Sequence, residues 1–306
     1  MVDGKAAEVS KNEHILPKKP GHRWFLLSGP ICIILLVTIG LPVCYTIFSS
    51  FWEKRGYSAT VHFIGFANYA SVLTDEAFWS SITTGFLYAV ISSILQLVIG
   101  LWGALFVIRR GRYRNLLSSI IFLPYLLPSV VLVILWTFAL NDSVGYVNYV
   151  LRAMDILPPQ WFGEATIFWT LVILSVWQFF PFVFFAIYGR LTLISSELLE
   201  SAELEGATHI QRTWHIVMPE LKSLILSIVV LRFIIMFMKF DIPWLLASSR
   251  GGGRDLLTPA VYAYRVAFER LNIGMAFAIT TIFLLILAIV MIIVIRISRS
   301  TNAEAA

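Results

Sequence analysis

Charge is scarce in this sequence. Only 13% of its 306 residues are charged, whereas 58% are hydrophobic and the mean hydropathy is +0.82. Soluble domains carry roughly 25% charged residues. A chain with half of that share cannot cover a water-facing surface, which excludes a soluble enzyme, and its apolar content excludes disorder. A polytopic membrane protein remains.

Cysteine is also rare, and the positions of the two cysteines exclude a disulfide between them and a zinc or redox site. The two cysteines, Cys32 and Cys44, are twelve residues apart in one apolar run. That spacing is roughly 18 Å along a helix, too far for a disulfide with each other. The sequence has no zinc or redox spacing, so we predict no metal site.

Titratable groups are almost missing from the apolar runs. All five histidines lie outside them, at His14, His22, His62, His209 and His215. The runs contain no Glu, and their only acid is Asp241. A membrane-embedded hydrolase would have no histidine base, and a proton relay would lack its chain of titratable groups.

Six apolar runs are long enough to cross a bilayer, since a spanning helix needs about 20 such residues. They cover residues 25–51, 82–108, 116–140, 166–189, 224–247 and 273–295. The first is longer than the core of a cleaved signal peptide. Prolines within the runs are expected to kink or break helices. The predicted fold class is all-α, with six transmembrane helices.

Basic residues orient these helices. About twice as many Lys and Arg fall on the side of the N-terminus as on the opposite side, and the cluster from Arg109 to Arg114 has no acid near it. Because basic loops stay in the cytoplasm, both termini are predicted to be cytoplasmic. The domains are then a tail (1–23), a permease domain (24–299) with its longest inner loop at 190–223, and a second tail (300–306).

The 190–223 loop begins with a short predicted helix. Glu197 and Glu200 lie in its first turn, where acids suit the helix dipole. Gly206 is expected to end the helix in the left-handed conformation.

A second short helix is predicted after the glycine. Thr208 and Gln211 have the spacing of a capping box, and Pro219 is expected to close the helix. Its apolar stripe is Ile210, Trp214 and Val217. An apolar stripe needs a partner. A lipid surface is one alternative, but the four acids of the first helix disfavour an anionic leaflet, so a protein partner fits better.

The same loop resembles the membrane subunits of ATP-binding-cassette importers. Their motif reads E-A-A, three residues, G, nine residues, I-x-L-P. The matching residues here are Glu200, Ala202, Gly206, Ile216 and Pro219, with Glu205 and Ala207 beside the glycine. Ser195, Ser201, Glu205 and Met218 depart from the pattern, whereas the spacing is intact.

Other segments resemble the carbohydrate-uptake branch of that family, which includes the maltose and glycerol-3-phosphate permeases. Residues 65–69 resemble an outer-loop G-L-x-N-Y. Trp177, Pro181 and Phe182 resemble a fourth-span W-x-x-x-P-F. Phe240-Asp241 with the glycines at 251–252 loosely resembles an F-D … G-G segment.

The resemblance implies a binding-protein-dependent permease subunit of the bacterial inner membrane. Its inner-loop residues would couple closure of a separate ATPase dimer to alternating access, moving a sugar or sugar-like solute. The chain has no phosphate loop, so ATP would be bound by the partner and no cofactor by this chain. A second six-span subunit and an extracytoplasmic solute-binding protein complete the implied assembly. The alternative is a self-sufficient secondary carrier or channel.

Five residues are candidates for the solute pathway: Trp177, Gln178, Arg232, Lys239 and Asp241. Charges within a bilayer usually face a cavity or a partner, and planar aromatic and amide groups suit sugars. Each candidate also has a structural interpretation. Lys239 can extend toward the interface, Asp241 can be a helix-end group, and aromatic residues commonly pack or form interfacial belts.

The segment 248–255 combines three glycines with Arg250 and Arg254. It is predicted either to contact the binding protein or to be a solvated loop. Its arginines and glycines would also suit an anionic ligand.

Overall fold

Long apolar helices make up most of the chain, because in lipid every backbone polar group must be satisfied within the protein. The computed structural model describes residues 23–56, 61–249 and 256–303. Residues 1–22, 57–60, 250–255 and 304–306 lie outside the described residues, and they include most of the predicted tail 1–23, most of the predicted segment 248–255 and part of the predicted tail 300–306. The elements are α1 (Arg23–Leu35), α2 (Leu41–Ser49), β1 (Trp52–Glu53), β2 (His62–Phe63), α3 (Ala67–Thr74), α4 (Glu76–Ile108), α5 (Arg114–Phe122), α6 (Ser129–Ala139), α7 (Tyr146–Ala153), α8 (Ile167–Leu191), α9 (Ser196–Leu204), α10 (His209–Arg212), α11 (Met218–Phe237), α12 (Asp241–Ser249), α13 (Pro259–Tyr264) and α14 (Ile273–Ala303).

Five helices within the described residues are long and apolar enough to span a membrane: Gly29–Ser49, Glu76–Ile108, Ile167–Leu191, His209–Ser248 and Ile273–Val294. The predicted third span is instead a bent pair. Gly111–Leu126 and Ser129–Ala139 meet at 95°. Pro128 lies at the break, where the residue before a proline is pushed out of the helical region. The pair supplies a sixth span only if both halves together cross the bilayer.

A small β ribbon departs from the all-α prediction. β1 and β2 pair antiparallel, with Trp52 opposite Phe63 and Glu53 opposite His62. Asn68, from the G-x-x-N-Y segment, donates hydrogen bonds to the carbonyls of Ser50 (2.8 Å) and Trp52 (3.1 Å). The sequence segment that resembles the family therefore fixes the connection between the first two spans.

The helix α4 begins six residues before the apolar run that predicted it. Asp75 caps it by accepting the Ala77 N–H at 2.9 Å. Its other carboxylate oxygen accepts hydrogen bonds from Tyr262 Oη (2.7 Å) and Arg270 Nη1 (3.1 Å). Burial opposes ionisation of Asp75, but these hydrogen bonds outweigh it and lower the pKa of Asp75. The cap thus joins α4 to α13 and to the segment before α14.

The core forms where α4 packs against α8 and α11. At Gly100 an added Cβ would lie 2.9 Å from the backbone nitrogen of Phe184, so α4 and α8 approach closely only because the residue is glycine. The first span differs, because none of residues 29–49 is buried against the rest of the described chain. The described chain therefore leaves most of the surface of this helix uncovered.

Candidate functional site

The 190–223 loop forms the helical hairpin that the sequence predicts. α9 ends at Leu204, and Gly206 adopts a φ of +85°. The Ala207 N–H donates to the Ala202 carbonyl at 2.9 Å, and the Gly206 N–H donates to the Glu203 carbonyl at 3.0 Å. These two bonds define a Schellman motif, which requires the left-handed residue that glycine supplies.

The capping box at the second helix is also present. The Thr208 side chain accepts from the Gln211 N–H, and the Gln211 side chain accepts from the Thr208 N–H at 2.7 Å. The first hairpin helix therefore ends, and the second begins, at the residues that the sequence pattern predicts.

The prediction that Pro219 closes the second helix is wrong. α10 passes through a π-helical turn, Thr213–Val217, into α11, so the hairpin is continuous with a helix, His209–Ser248, that is long and apolar enough to span a membrane. The π turn lets the Met218 N–H reach the Thr213 carbonyl. Pro219 then follows the π turn directly, as the second residue of α11.

Most of the motif residues gather at one concave surface, here called the elbow, in the angle between the two hairpin helices. It is a shallow depression of about 390 Å³. Its lining contains Ala202, Glu205, Gly206, Ala207 and Ile216. Gln211, Arg212 and His215 complete the lining. Two predicted coupling residues, Glu200 and Pro219, lie outside the elbow and are exposed.

An ion pair that was not predicted from the sequence connects the two hairpin helices at the elbow. Arg212 Nη1 lies 2.6 Å from Glu203 Oε2, and the Arg212 side chain is 12% exposed. The two residues are on opposite helices of the hairpin, nine positions apart. Opposite charges on either side of a predicted turn were the available signal. At the base of the hairpin, Arg190 pairs with Glu220 at 2.8 Å.

The apolar stripe of the second helix is divided between two environments. Val217 is buried in a core cluster with Leu191 and Leu221. Ile210 and Trp214 are exposed and line a different groove, beside the end of α4. The stripe therefore does not form one continuous docking face.

Among the pathway candidates, Arg232 is buried at 3% exposure. Its Nε donates to Gln96 Oε1 at 2.7 Å, and its guanidinium lies 4.9 Å from the Phe179 ring centroid and 5.7 Å from that of Phe182. No carboxylate within the described ranges pairs with it. Gln96 in turn donates to the Ser175 carbonyl at 3.5 Å. Amide and ring faces thus replace the acid that a buried cation usually requires.

Lys239 and Asp241 follow α11 and pair with each other, Nζ to Oδ1, at 3.0 Å. Lys239 Nζ also lies 4.4 Å from the Phe179 centroid. The ring of Phe179 thus lies beside both predicted intramembrane cations. Asp241 additionally accepts a hydrogen bond from Ser129, at the start of α6. The two charges neutralise one another in this structure.

Trp177 and Gln178 are neighbours in α8 with different surroundings. Trp177 meets Trp136 edge to face at 5.5 Å and lines a shallow apolar groove. Gln178 is buried and donates to the Leu127 carbonyl at 2.8 Å, at the break between the halves of the bent pair. Arg232, Lys239 and Asp241 therefore lie close together near Phe179. Gln178 instead stabilises the break in the bent pair.

Comparison with known proteins identifies the family. Residues 96–302 match the family described as binding-protein-dependent transport system inner membrane component. The inner membrane ABC transporter permease protein YcjO of Escherichia coli (strain K12) is 32% identical over 285 residues, covering 90% of this chain and 94% of YcjO. This chain belongs to that family. The predicted resemblance and the multi-pass inner-membrane localisation are confirmed.

Two further proteins are similar along most of the chain. The trehalose/maltose transport system permease protein MalF of Thermococcus litoralis is 30% identical over 251 residues, covering 82% of this chain and 83% of MalF. A solved bacterial alginate ABC transporter, in complex with an alginate pentasaccharide-bound periplasmic protein, superposes with a TM-score of 0.79. That match has 19% identity and covers 92% of this chain and 96% of the other, so it shows the shared fold.

Proposed function

We propose that this chain is a permease subunit of an ATP-driven importer for a sugar or sugar-like solute. The trehalose/maltose permease among its relatives and the alginate transporter among its structural neighbours support a saccharide solute. The chain itself catalyses no reaction. An ATPase dimer binds and hydrolyses ATP, because this sequence has no phosphate loop.

The observation that carries the proposal is the elbow. Five of the seven motif residues line one exposed concave surface at the tip of a hairpin. The second hairpin helix continues through a π turn into the fifth span. A subunit that seats in the elbow and moves would therefore pull directly on a membrane helix. This continuity provides the mechanical link between ATPase closure and alternating access.

The proposed topology has six spans, with the bent pair counted as one, and both termini in the cytoplasm. It places the hairpin and the Arg109–Arg114 cluster on the ATPase side. A second, similar membrane subunit completes the pathway, and an extracytoplasmic binding protein delivers the solute. Arg232, Lys239, Asp241, Trp177 and Gln178 remain the proposed pathway residues.

The test is a charged side chain placed inside the elbow. An added Cβ at Gly206 meets nothing within 4 Å, and although its φ of +85° strains any L side chain, Asp visits the left-handed region more readily than most residues. Gly206→Asp should therefore insert and fold but occupy the space of the partner. We expect loss of solute uptake and loss of the co-purifying ATPase subunit. Gly189→Asp is the matched control, because Gly189 is also exposed with open space around it.

Normal uptake by a well-expressed Gly206→Asp variant would contradict the coupling role. Purification of this chain alone, with intact transport in liposomes, would instead indicate a self-sufficient carrier or channel.

A further inference from the structure

A second concave surface lies beside the hairpin and shares no residue with the elbow. This groove encloses about 660 Å³ between the end of α4 and the second hairpin helix. Its apolar lining includes Trp102, Leu105, Phe106, Ile210, Trp214 and Met218. Trp102 is 72% exposed, so a large aromatic surface faces outward with nothing packed on it within the described chain.

One end of the groove is cationic. Arg109 and Arg110 line it, and no Asp or Glu does. The Arg110 guanidinium lies 4.1 Å from the Phe106 ring centroid, and Arg109 Nη2 lies 3.5 Å from Thr213 Oγ1. Neither arginine has a carboxylate within ion-pair distance among residues 23–56, 61–249 and 256–303. Both guanidinium groups therefore keep hydrogen-bonding capacity for an anion.

The order of these groups along α4 matches an amphiphile. The last turns of α4 present Trp102 and Phe106, and the two arginines follow directly after its last residue, so that all four lie within roughly 12 Å along the helix direction. In the proposed orientation this direction runs from the bilayer interior toward the cytoplasm. A phospholipid of the inner leaflet has the same order, with acyl chains first and the phosphate last. Basic pockets between helices on this side of a membrane suit anionic headgroups.

We propose that the groove binds an anionic phospholipid of the inner leaflet. The headgroup phosphate contacts Arg109 and Arg110, and an acyl chain lies along Trp102, Phe106 and Trp214. A protein segment is the weaker occupant, because it would have to supply both an apolar surface and an acid at this depth. The leaflet supplies both. The proposal rests on the proposed function only through the orientation of the chain.

Such a lipid would add to the contacts between the end of α4 and the second hairpin helix, where Val107 and Val217 share one buried cluster. Between the end of α4 and the second hairpin helix, the side-chain hydrogen bond is the 3.5 Å contact of Arg109 with Thr213. A lipid in contact with both walls would stabilise one position of the hairpin relative to α4. Lipid composition would then alter coupling without any contact with the elbow.

The test uses the transporter complex purified in neutral detergent and titrated with brominated phosphatidylglycerol or brominated phosphatidylcholine. Bromine quenches a nearby indole, and the Trp102 signal is isolated as the difference between the parent complex and its Trp102→Phe variant. We expect quenching at lower concentrations of phosphatidylglycerol than of phosphatidylcholine. Replacing Arg109 and Arg110 with Gln should weaken phosphatidylglycerol binding about fivefold for each arginine removed.

The matched control is the Arg112→Gln, Arg114→Gln double variant. It removes the same charge from the same connection, but neither residue lines the groove. We expect its phosphatidylglycerol titration to follow that of the parent.

Three results would each overturn the proposal. Equal quenching by the two lipids would show ordinary annular lipid. An equal loss in the control variant would show general surface charge. No quenching of Trp102 by either lipid, together with cross-linking of a Leu105→Cys variant to another subunit, would show that a protein covers the groove. Retention of the ATPase subunit is measured separately in the same preparation, so failure of the proposed function can be distinguished from failure of the lipid proposal.

Discussion

The hairpin at 190–223 and the cluster around Arg232 are stabilised by different kinds of contact, local in the hairpin and long-range in the cluster. The hairpin is exposed and stabilised by bonds between residues close in sequence, such as those from Gly206 to Glu203 and from Thr208 to Gln211. The cluster is buried and depends on a bond across 136 positions, from Arg232 to Gln96. The proposed docking surface is thus locally encoded, whereas the interior cation is held only after three helices have packed.

Because of this difference, mutations in the hairpin and mutations in the cluster should have different consequences. A change in the hairpin should disturb local order and coupling while the rest of the protein persists. A change in the cluster leaves a buried polar group without its partner, which affects the whole helix assembly.

The largest effect is expected at Gln96. The Gln96→Leu variant leaves the guanidinium of Arg232 buried without its amide acceptor, and should lower the free energy of unfolding by about 2–3 kcal/mol. Thermal unfolding in detergent measures this. Ser227→Ala, on the exposed face of α11, is the control and should change it by less than about 0.5 kcal/mol.

The double variant Gln96→Leu, Arg232→Met then tests the role of the cation. Replacing both partners with apolar groups should restore most of the stability. If uptake is restored as well, Arg232 has a structural role and no part in the pathway. If stability returns without uptake, Arg232 contributes to transport directly.

An intermediate effect is expected at Gly206. Gly206→Ala keeps the elbow open but places a Cβ on a residue with φ of +85°, which costs about 1–2 kcal/mol. Hydrogen exchange of amides 196–212 should accelerate by roughly tenfold, with little change elsewhere. Gly189→Ala also meets no atoms, and its φ is not in the left-handed region. Equal acceleration in both variants would refute the backbone argument.

The smallest effect is expected at Arg212. Arg212→Gln removes its ion pair with Glu203, which is worth about 0.2–1 kcal/mol because the carboxylate is largely exposed. Exchange in the hairpin should rise less than in Gly206→Ala. Arg190→Gln, whose pair with Glu220 lies at the hairpin base, should leave the tip unchanged. A larger effect from Arg190→Gln would show that the base, not the elbow, sets hairpin order.

The sequence predicted the elements that depend on composition and nearest neighbours. Five of the six apolar runs located helices long enough to span a membrane, although α4 begins six residues earlier because Asp75 caps it. The third run is the bent pair instead. Motif spacing located the Gly206 turn and the Thr208 cap, both confirmed. Pro219 misled the prediction because a π turn can carry a helix past a proline, and no pattern in the sequence marks that turn.

Sequence alone determined that the chain is a membrane protein, that residues 190–223 form a two-helix hairpin, and that the motif in this hairpin resembles importer permeases. The first two properties follow from hydropathy and from hydrogen bonds between near neighbours, and the third is a resemblance that rests on the motif residues and their spacing. Only the tertiary structure decided that Arg232 meets Gln96 and Phe179, that the bent pair turns by 95°, and that the hairpin continues into a span. Those contacts join distant residues whose pairing depends on how the helices pack, and local sequence carries no record of it.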